Sequence, residues 1–215
     1  MSTPIFITGI GTGVGKTLVS AIVTRALQAD YWKPIQAGFE DGTDSEYVKS
    51  MLPAGAIVYP ELYKLKLPAS PHIAAREENI SISIEAIKQQ LDAISSKQQN
   101  NNLIVIEGAG GLMVPLNDHA FVADLIKHLQ AKVILVSRNY LGSINHSLLT
   151  AEVCRNYKLD VLGWIFNDQY LAYEDEIAHW SGFPKIATVP FTEKPTKDFV
   201  EQQALLMAAA LKKIV

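Results

Sequence analysis

Apolar runs recur along the chain at Ile5 to Thr8, Leu103 to Ile106, Val133 to Val136, Val161 to Phe166 and Ile186 to Val189, with a shorter one around Tyr31 to Lys33. Polar or glycine-rich turns bound each of them. Hydrophobicity that is continuous rather than alternating predicts strands buried on both faces. Between these runs the spacing turns helical. Leu18, Ile22 and Leu27, with Val19 and Val23 beside them, form one apolar face, Ile84, Ile87, Leu91 and Ile94 a second, and residues 198–213 a C-terminal helix. Strand and helix alternate, so the pattern predicts an α/β fold over residues 1–215 as one domain, with a mostly parallel central sheet, right-handed crossovers and helices on both faces. Ligands of such sheets bind beyond the carboxyl ends of the strands, where several polar clusters of this sequence fall.

The first of these clusters is Gly9-Ile10-Gly11-Thr12-Gly13-Val14-Gly15-Lys16-Thr17, which closes the first apolar run and opens the first helical face. Gly11, Gly13 and Gly15 permit backbone conformations closed to other residues, so successive N–H groups can turn toward phosphate oxygens. Lys16 adds a positive charge, Thr17 offers a hydroxyl to Mg²⁺, and a helix N-terminus brings its dipole to the same place. The common pattern places glycine at the position of Ile10, whereas this chain has it one residue earlier, at Gly9. Strand before and helix after give the context of a phosphate-binding loop, and hence a P-loop NTPase-like fold.

Composition narrows the remaining classes. A chain of 215 residues buries about 70% of its unfolded surface without disulfides or structural metal. Its single cysteine, Cys154, excludes an intrachain disulfide framework and reads as a buried, inert thiol in a helix. A net charge of −3 argues against a broad nucleic-acid surface. The histidines 72, 119, 128, 146 and 179 lack zinc-ligand spacing, and neither a signal sequence nor a membrane-spanning run is evident, so a cytoplasmic protein without nucleic-acid or membrane partners is expected.

Five further clusters carry chemistry. Lys33, at the end of the run from Tyr31, is either a solvated strand-end residue or, with Lys16, a cationic grip on a γ-phosphate and a second anionic reactant. Thr43 and Glu46 have capping-box spacing, so Asp44 is either a first-turn acid or a Mg²⁺ ligand. Glu107 ends a buried run where a small-residue loop is expected from Gly108, Ala109, Gly110 and Gly111, a position suited to a second metal-binding carboxylate. Asn167-Asp168 can hydrogen-bond a base edge or make an ordinary turn. Ser143 reads as the N-cap of a helix with Ile144, Leu148 and Ala151 on one face, whose free N–H groups could bind a carboxylate.

Together, Thr8-Gly9 through Lys16-Thr17, Lys33-Pro34-Ile35, Asp44, Ser70-Pro71-His72, residues 107–111, 141–146 and 163–168 resemble the dethiobiotin synthetase family, in order and approximate spacing from residue 8 to about 191. The resemblance implies ring closure of 7,8-diaminononanoate with CO₂ to dethiobiotin, with ATP as co-substrate and Mg²⁺ as cofactor. It implies a carbamate and then a carbamic-phosphoric anhydride as intermediates. It assigns Lys33, Lys16 and Thr12 to catalysis and Thr17, Asp44 and Glu107 to the metal. ATP would contact residues 13–18 (Gly13, Val14, Gly15, Lys16, Thr17, Leu18), Asp44, Glu107, Gly108, Ala109, Gly110, Asn167, Asp168, Pro190, Phe191 and Thr192. Substrate would meet Lys33 and Ala37, and, across a homodimer, Gly142, Ser143 and Asn145 of a second copy. Two positions depart from the family pattern: Gly11 stands where Asp is usual, and Ala37 where Ser or Thr is usual. Nucleotide-switch ATPases of the partitioning or division-site type resemble the loop too, but they carry a signature lysine at the position of Gly11, and no membrane- or DNA-binding element accompanies it here.

Overall fold

The computed structural model describes residues 3–98, 102–168 and 170–215. In chain order its elements are β1 (Ile5–Gly9), α1 (Lys16–Leu27), β2 (Asp30–Trp32), β3 (Ile35–Ala37), α2 (Asp44–Met51), β4 (Val58–Tyr59), β5 (Tyr63–Leu65), α3 (Pro71–Glu77) and α4 (Ile84–Lys97), followed by β6 (Ile104–Gly111), α5 (Val122–Leu129), β7 (Lys132–Arg138), α6 (Ser143–Tyr157), β8 (Asp160–Asn167), α7 (Glu174–Ser181), β9 (Lys185–Val189) and α8 (Lys197–Ile214). Seven strands form one parallel sheet in the order β4-β2-β6-β1-β7-β8-β9, and β3 pairs with β5 in a separate parallel ribbon.

The continuous apolar runs are explained by a core on each side of the sheet. Phe6, Trp32, Ile106, Leu135, Trp164 and Phe166 point to one side, where α3, α4, α5, α6 and α7 cover them. Ile5, Ile7, Tyr31, Val105, Val136 and Ile165 point to the other, beneath α1, α2 and α8. The period-two alternation of strands is present, but it separates two cores rather than core from solvent. Helix α4 follows its pattern closely. Ser83 caps it through the amide of Ala86 at 3.1 Å, and Ile87, Leu91 and Ile94 are buried. Cys154 is buried, and burial pushes its thiol up to about 12, as its inert reading requires.

Three expectations are corrected. The run after Ile106 is not a loop, because β6 continues through Gly111 and its small residues allow close passage beside β1. A Cβ on Gly108 would lie 2.6 Å from Cε1 of Phe6, and one on Gly111 3.1 Å from the carbonyl of Gly9. Ser143 is not an N-cap. Gly142, with φ of 102°, holds that position, and Ser143 is the first helical residue. The face of α6 toward the core is Ser143, Ser147, Ala151 and Cys154, with Ile144 and Leu148 only half-buried beside it. Finally, β2 stops at Trp32, leaving Lys33 just past the strand end, where Pro34 removes a ladder donor.

Candidate active site

Between β1 and α1 the chain turns through Gly13 and Gly15, with φ of 74° and 88°, the left-handed region in which glycine is least strained. Gly9 permits the turn's close return, since a Cβ there would lie 2.7 Å from Val14 Cγ2 and 3.0 Å from the carbonyl of Val136. At Gly11 nothing lies within 4 Å of a Cβ position, so packing does not demand glycine there. Lys16, the first residue of α1, folds back over the turn and donates to the carbonyl of Gly11 at 2.7 Å.

Strands β2 and β6 and the starts of α1 and α2 bring five polar side chains to the same place. Glu107 on β6 is buried, and its Oε1 accepts from the hydroxyl of Thr17 at 2.9 Å and from Nζ of Lys33 at 3.2 Å. Its Oε2 accepts from the hydroxyl of Tyr31 on β2 at 2.8 Å. Lys33 Nζ also lies 2.8 Å from Oδ2 of Asp44. Burial works to lower the Lys33 ammonium, but Glu107 and Asp44 outweigh it and hold the group above its ordinary value. Lys16 is less well matched. Burial lowers it to about 8, against a smaller upward pull from Glu107. Burial and Glu107 together keep the Tyr31 phenol protonated, with its pKa well above the usual range.

The two readings of Asp44 are compatible. Thr43 and Glu46 form the capping box of α2, with bonds of 3.1 and 2.9 Å, and so leave the Asp44 carboxylate to face Lys33. The amide of Asp44 donates to Oε1 of Gln36 at 3.2 Å, which ties the start of α2 to β3.

These groups line a cleft of about 740 Å³ that also reaches Thr12, Ala37, Gly108, Ala109 and Gly110. A smaller cavity of about 180 Å³ shares Gly13 and Gly15 with it and continues past Val14, Leu18, Arg138, Asn167, Asp168, Pro190, Phe191 and Thr192. Asn167 Nδ2 donates to the carbonyl of Val14 at 2.6 Å, while its buried Oδ1 has no partner among the described residues. Asp168 lies 3.5 Å from Nε of Arg138. Gly142, Ser143 and Asn145 are not part of either cavity. Gly142 and Asn145 are exposed, and the Ser143 hydroxyl is turned inward, 2.7 Å from the hydroxyl of Tyr173.

A family profile described as "AAA domain" matches residues 3–198. An ATP-dependent dethiobiotin synthetase BioD of Cytophaga hutchinsonii is 48% identical over 202 residues, which span 93% of this chain and 94% of the relative. Its counterpart in Christiangramia forsetii is 43% identical over 203 residues, 92% of this chain and 94% of the relative. The chain belongs to the dethiobiotin synthetase family. Among solved structures, the MinD cell division protein of Aquifex aeolicus superposes with a TM-score of 0.61 at 16% identity, covering 99% of this chain and 96% of that one. A ParA family ATPase of Chlorobium tepidum does so at 0.57 and 15%, covering 100% and 92%. At such low identity these two likenesses show a shared fold alone.

In this dethiobiotin synthetase chain, Tyr31 and Gln36 are the partners that sequence reasoning missed. Both lie inside short strands, where an aromatic or an amide residue carries no signal of its own. Pro68 and Ala69, which complete the cleft wall beside Ser70 of the matched Ser70-Pro71-His72, follow a strand too short to be read from periodicity.

The lowered Lys16 makes a directional prediction for the ligand-free protein. Between about pH 8 and the ordinary lysine value of 10.5 the unfolded chain binds a proton at Lys16 that the folded chain does not, so this group favours folding increasingly as pH rises. Urea midpoints of wild type and Lys16→Met should therefore differ by a constant below pH 8. Above it the wild type should gain up to about 1.4 kcal/mol per pH unit on the variant. Parallel curves from pH 7 to 10 would contradict the burial assigned to this ammonium.

Proposed function

We propose that this protein converts 7,8-diaminononanoate, CO₂ and ATP to dethiobiotin, ADP and phosphate, in the cytoplasm. The observation that carries the reading is the position of Lys33, buried between Glu107 and Asp44 and beside the phosphate-binding loop of a dethiobiotin synthetase family member. The chemistry requires two anions, a carbamate on one substrate amine and the γ-phosphate of ATP, to come together. Lys33 and Lys16 offset their repulsion, and the loop amides and the α1 N-terminus hold phosphate oxygens. Thr12 borders the same cleft from the exposed side of the loop. The second amine then closes the urea ring and releases phosphate.

Thr17, Asp44 and Glu107 would hold Mg²⁺. Their donors are hard oxygens, a hydroxyl and two carboxylates, and an ammonium already bridges the two carboxylates, so the residues fit a small divalent cation that keeps several waters. When bound, Mg²⁺ supplies neutralisation of phosphate charge. The adenine would sit against Asn167, whose Oδ1, without a partner among the described residues, suits an exocyclic amino group, with Asp168 and Pro190, Phe191 and Thr192 around the nucleoside. Within the residues described, no helix is long and apolar enough to cross a membrane.

We further propose that the working unit is a homodimer in which Gly142, Ser143 and Asn145 of one copy receive the distant carboxylate of the diamine bound by the other. The exposure of Gly142 and Asn145, and of the apolar side chains of Leu141 and Leu149 at 89% and 57%, supports a partner on this surface. The Ser143 hydroxyl is turned inward and its amide donates to the carbonyl of Tyr140 at 2.9 Å, so Ser143 would shape the site from within while Gly142 and Asn145 meet the carboxylate.

Purified protein should form dethiobiotin only when diamine, bicarbonate and MgATP are all present. Undiminished ATP turnover without diamine, and no cyclic urea, would reassign it to the switch ATPases. Asp44→Asn should raise the Mg²⁺ needed for half-maximal rate more than it lowers stability, because the cap belongs to Thr43 and Glu107 still pairs Lys33. The reverse outcome would return Asp44 to the helix alone. Sedimentation should find a dimer at assay concentration, and Asn145→Asp should raise KM for diamine while leaving KM for ATP near wild type. A fully active monomer would rule the shared site out.

A further inference from the structure

The charged side of the cleft consumes its own hydrogen-bonding capacity. Glu107 accepts from Thr17, Tyr31 and Lys33, and Asp44 is paired with Lys33. The wall made by the ribbon β3–β5 and the segment after it is different. Ala37 at the end of β3 has no polar side-chain atom, and Gln36 is spent on the carbonyl of Gly38 at 2.7 Å and the amide of Asp44 at 3.2 Å. The strands are in register, Ala37 opposite Leu65, and the chain beyond β5 closes on β3 so tightly that a Cβ on Gly38 would lie 2.6 Å from Cβ of Pro68. This brings Ser70 into the cleft lining.

Ser70 occupies the N-cap of α3, yet its hydroxyl makes no capping bond. It lies 3.0 Å from Nδ1 of His72 instead. A serine at this position ordinarily satisfies an orphan amide of the helix. Here the ring two residues on takes the hydroxyl, and the pair is half-buried, with the buried Pro71 between them also lining the cleft. When Nδ1 accepts the hydroxyl proton, the oxygen lone pairs are left for a donor in the cleft.

We propose that Ser70 contacts the substrate by accepting a hydrogen bond from one of its amines, and that His72 is the positioning residue that fixes the hydroxyl for this role. The assignment rests on the diamine reading above. A neutral amine that must attack a neighbouring carbonyl keeps its lone pair free while its N–H groups find acceptors, and Ser70 supplies one on the wall where Ala37 supplies none. In this chain the hydroxyl thus enters the cleft from the segment after β5 rather than from the end of β3.

Steady-state kinetics on the full-length protein test this. With wild type forming dethiobiotin in parallel, Ser70→Ala should raise KM for diamine by about five- to tenfold, the loss of one hydrogen bond, while KM for ATP stays within about twofold. Ala37→Ser in the Ser70→Ala background should recover most of that loss by returning a hydroxyl from the opposite strand. His72→Leu should reproduce the Ser70→Ala effect, whereas His72→Asn, whose Oδ1 can replace Nδ1 as acceptor, should stay near wild type. If Ser70→Ala leaves KM for diamine unchanged, or if both KM values rise together with a lowered Tm, the pair merely supports α3 and the assignment is overturned while the function stands. A wild-type protein that makes no dethiobiotin overturns the function and this assignment with it.

Discussion

The buried carboxylate of Glu107 is the constraint around which the carboxyl edge of the sheet is arranged. An isolated ionised carboxylate at such depth costs several kcal/mol, and removing one partner of a buried pair commonly costs about 3–5 kcal/mol. Glu107 is tolerated because Thr17 from α1, Tyr31 from β2 and Lys33 from just beyond β2 all reach it, and Asp44 from α2 completes the balance on Lys33. One charge therefore joins four separate stretches of chain. The cluster is even in sign, two ammonium groups against two carboxylates, so an anion that enters tips it negative. Under the proposed reaction, that is the physical reason for an accompanying cation.

This arrangement depends on backbone passing close to backbone. β6 continues past Glu107 as Gly-Ala-Gly-Gly, and the missing side chains at 108 and 111 let it lie against Phe6 and the carbonyl of Gly9. The carboxylate is thus presented from a paired strand rather than from a mobile turn. Gln36 performs a similar task from the other side, since one amide group joins β3 to the first residue of α2.

What was legible in the sequence follows from how each element is stabilised. The strands buried on both faces announce themselves as unbroken apolar runs, and α4 and α8 carry Ser83 and Thr196 as caps. Helices α5 and α7 have no such start, for their N-cap positions are Phe121 and Tyr173. In α5 the work is done backwards, by Asp124 accepting from the amide of Phe121 at 2.8 Å. β3, β4 and β5 are two or three residues long, too short for any period. The phosphate loop is contiguous and could be read whole. Lys33, Asp44 and Glu107 were each ambiguous alone, because what sets Lys33 apart from a solvated strand-end lysine is a partner 74 residues away in the chain.

Gly15 and Asn167 lie 152 residues apart but compete for one piece of space. A Cβ on Gly15 would lie 2.3 Å from Nδ2 of Asn167, the atom that bonds the carbonyl of Val14. Any larger residue at 15 displaces the amide, and any bulkier residue at 167 presses on the turn. Side chains tolerated at position 167 are therefore confined to those no wider than asparagine at the tip. Drift at either position is coupled to drift at the other.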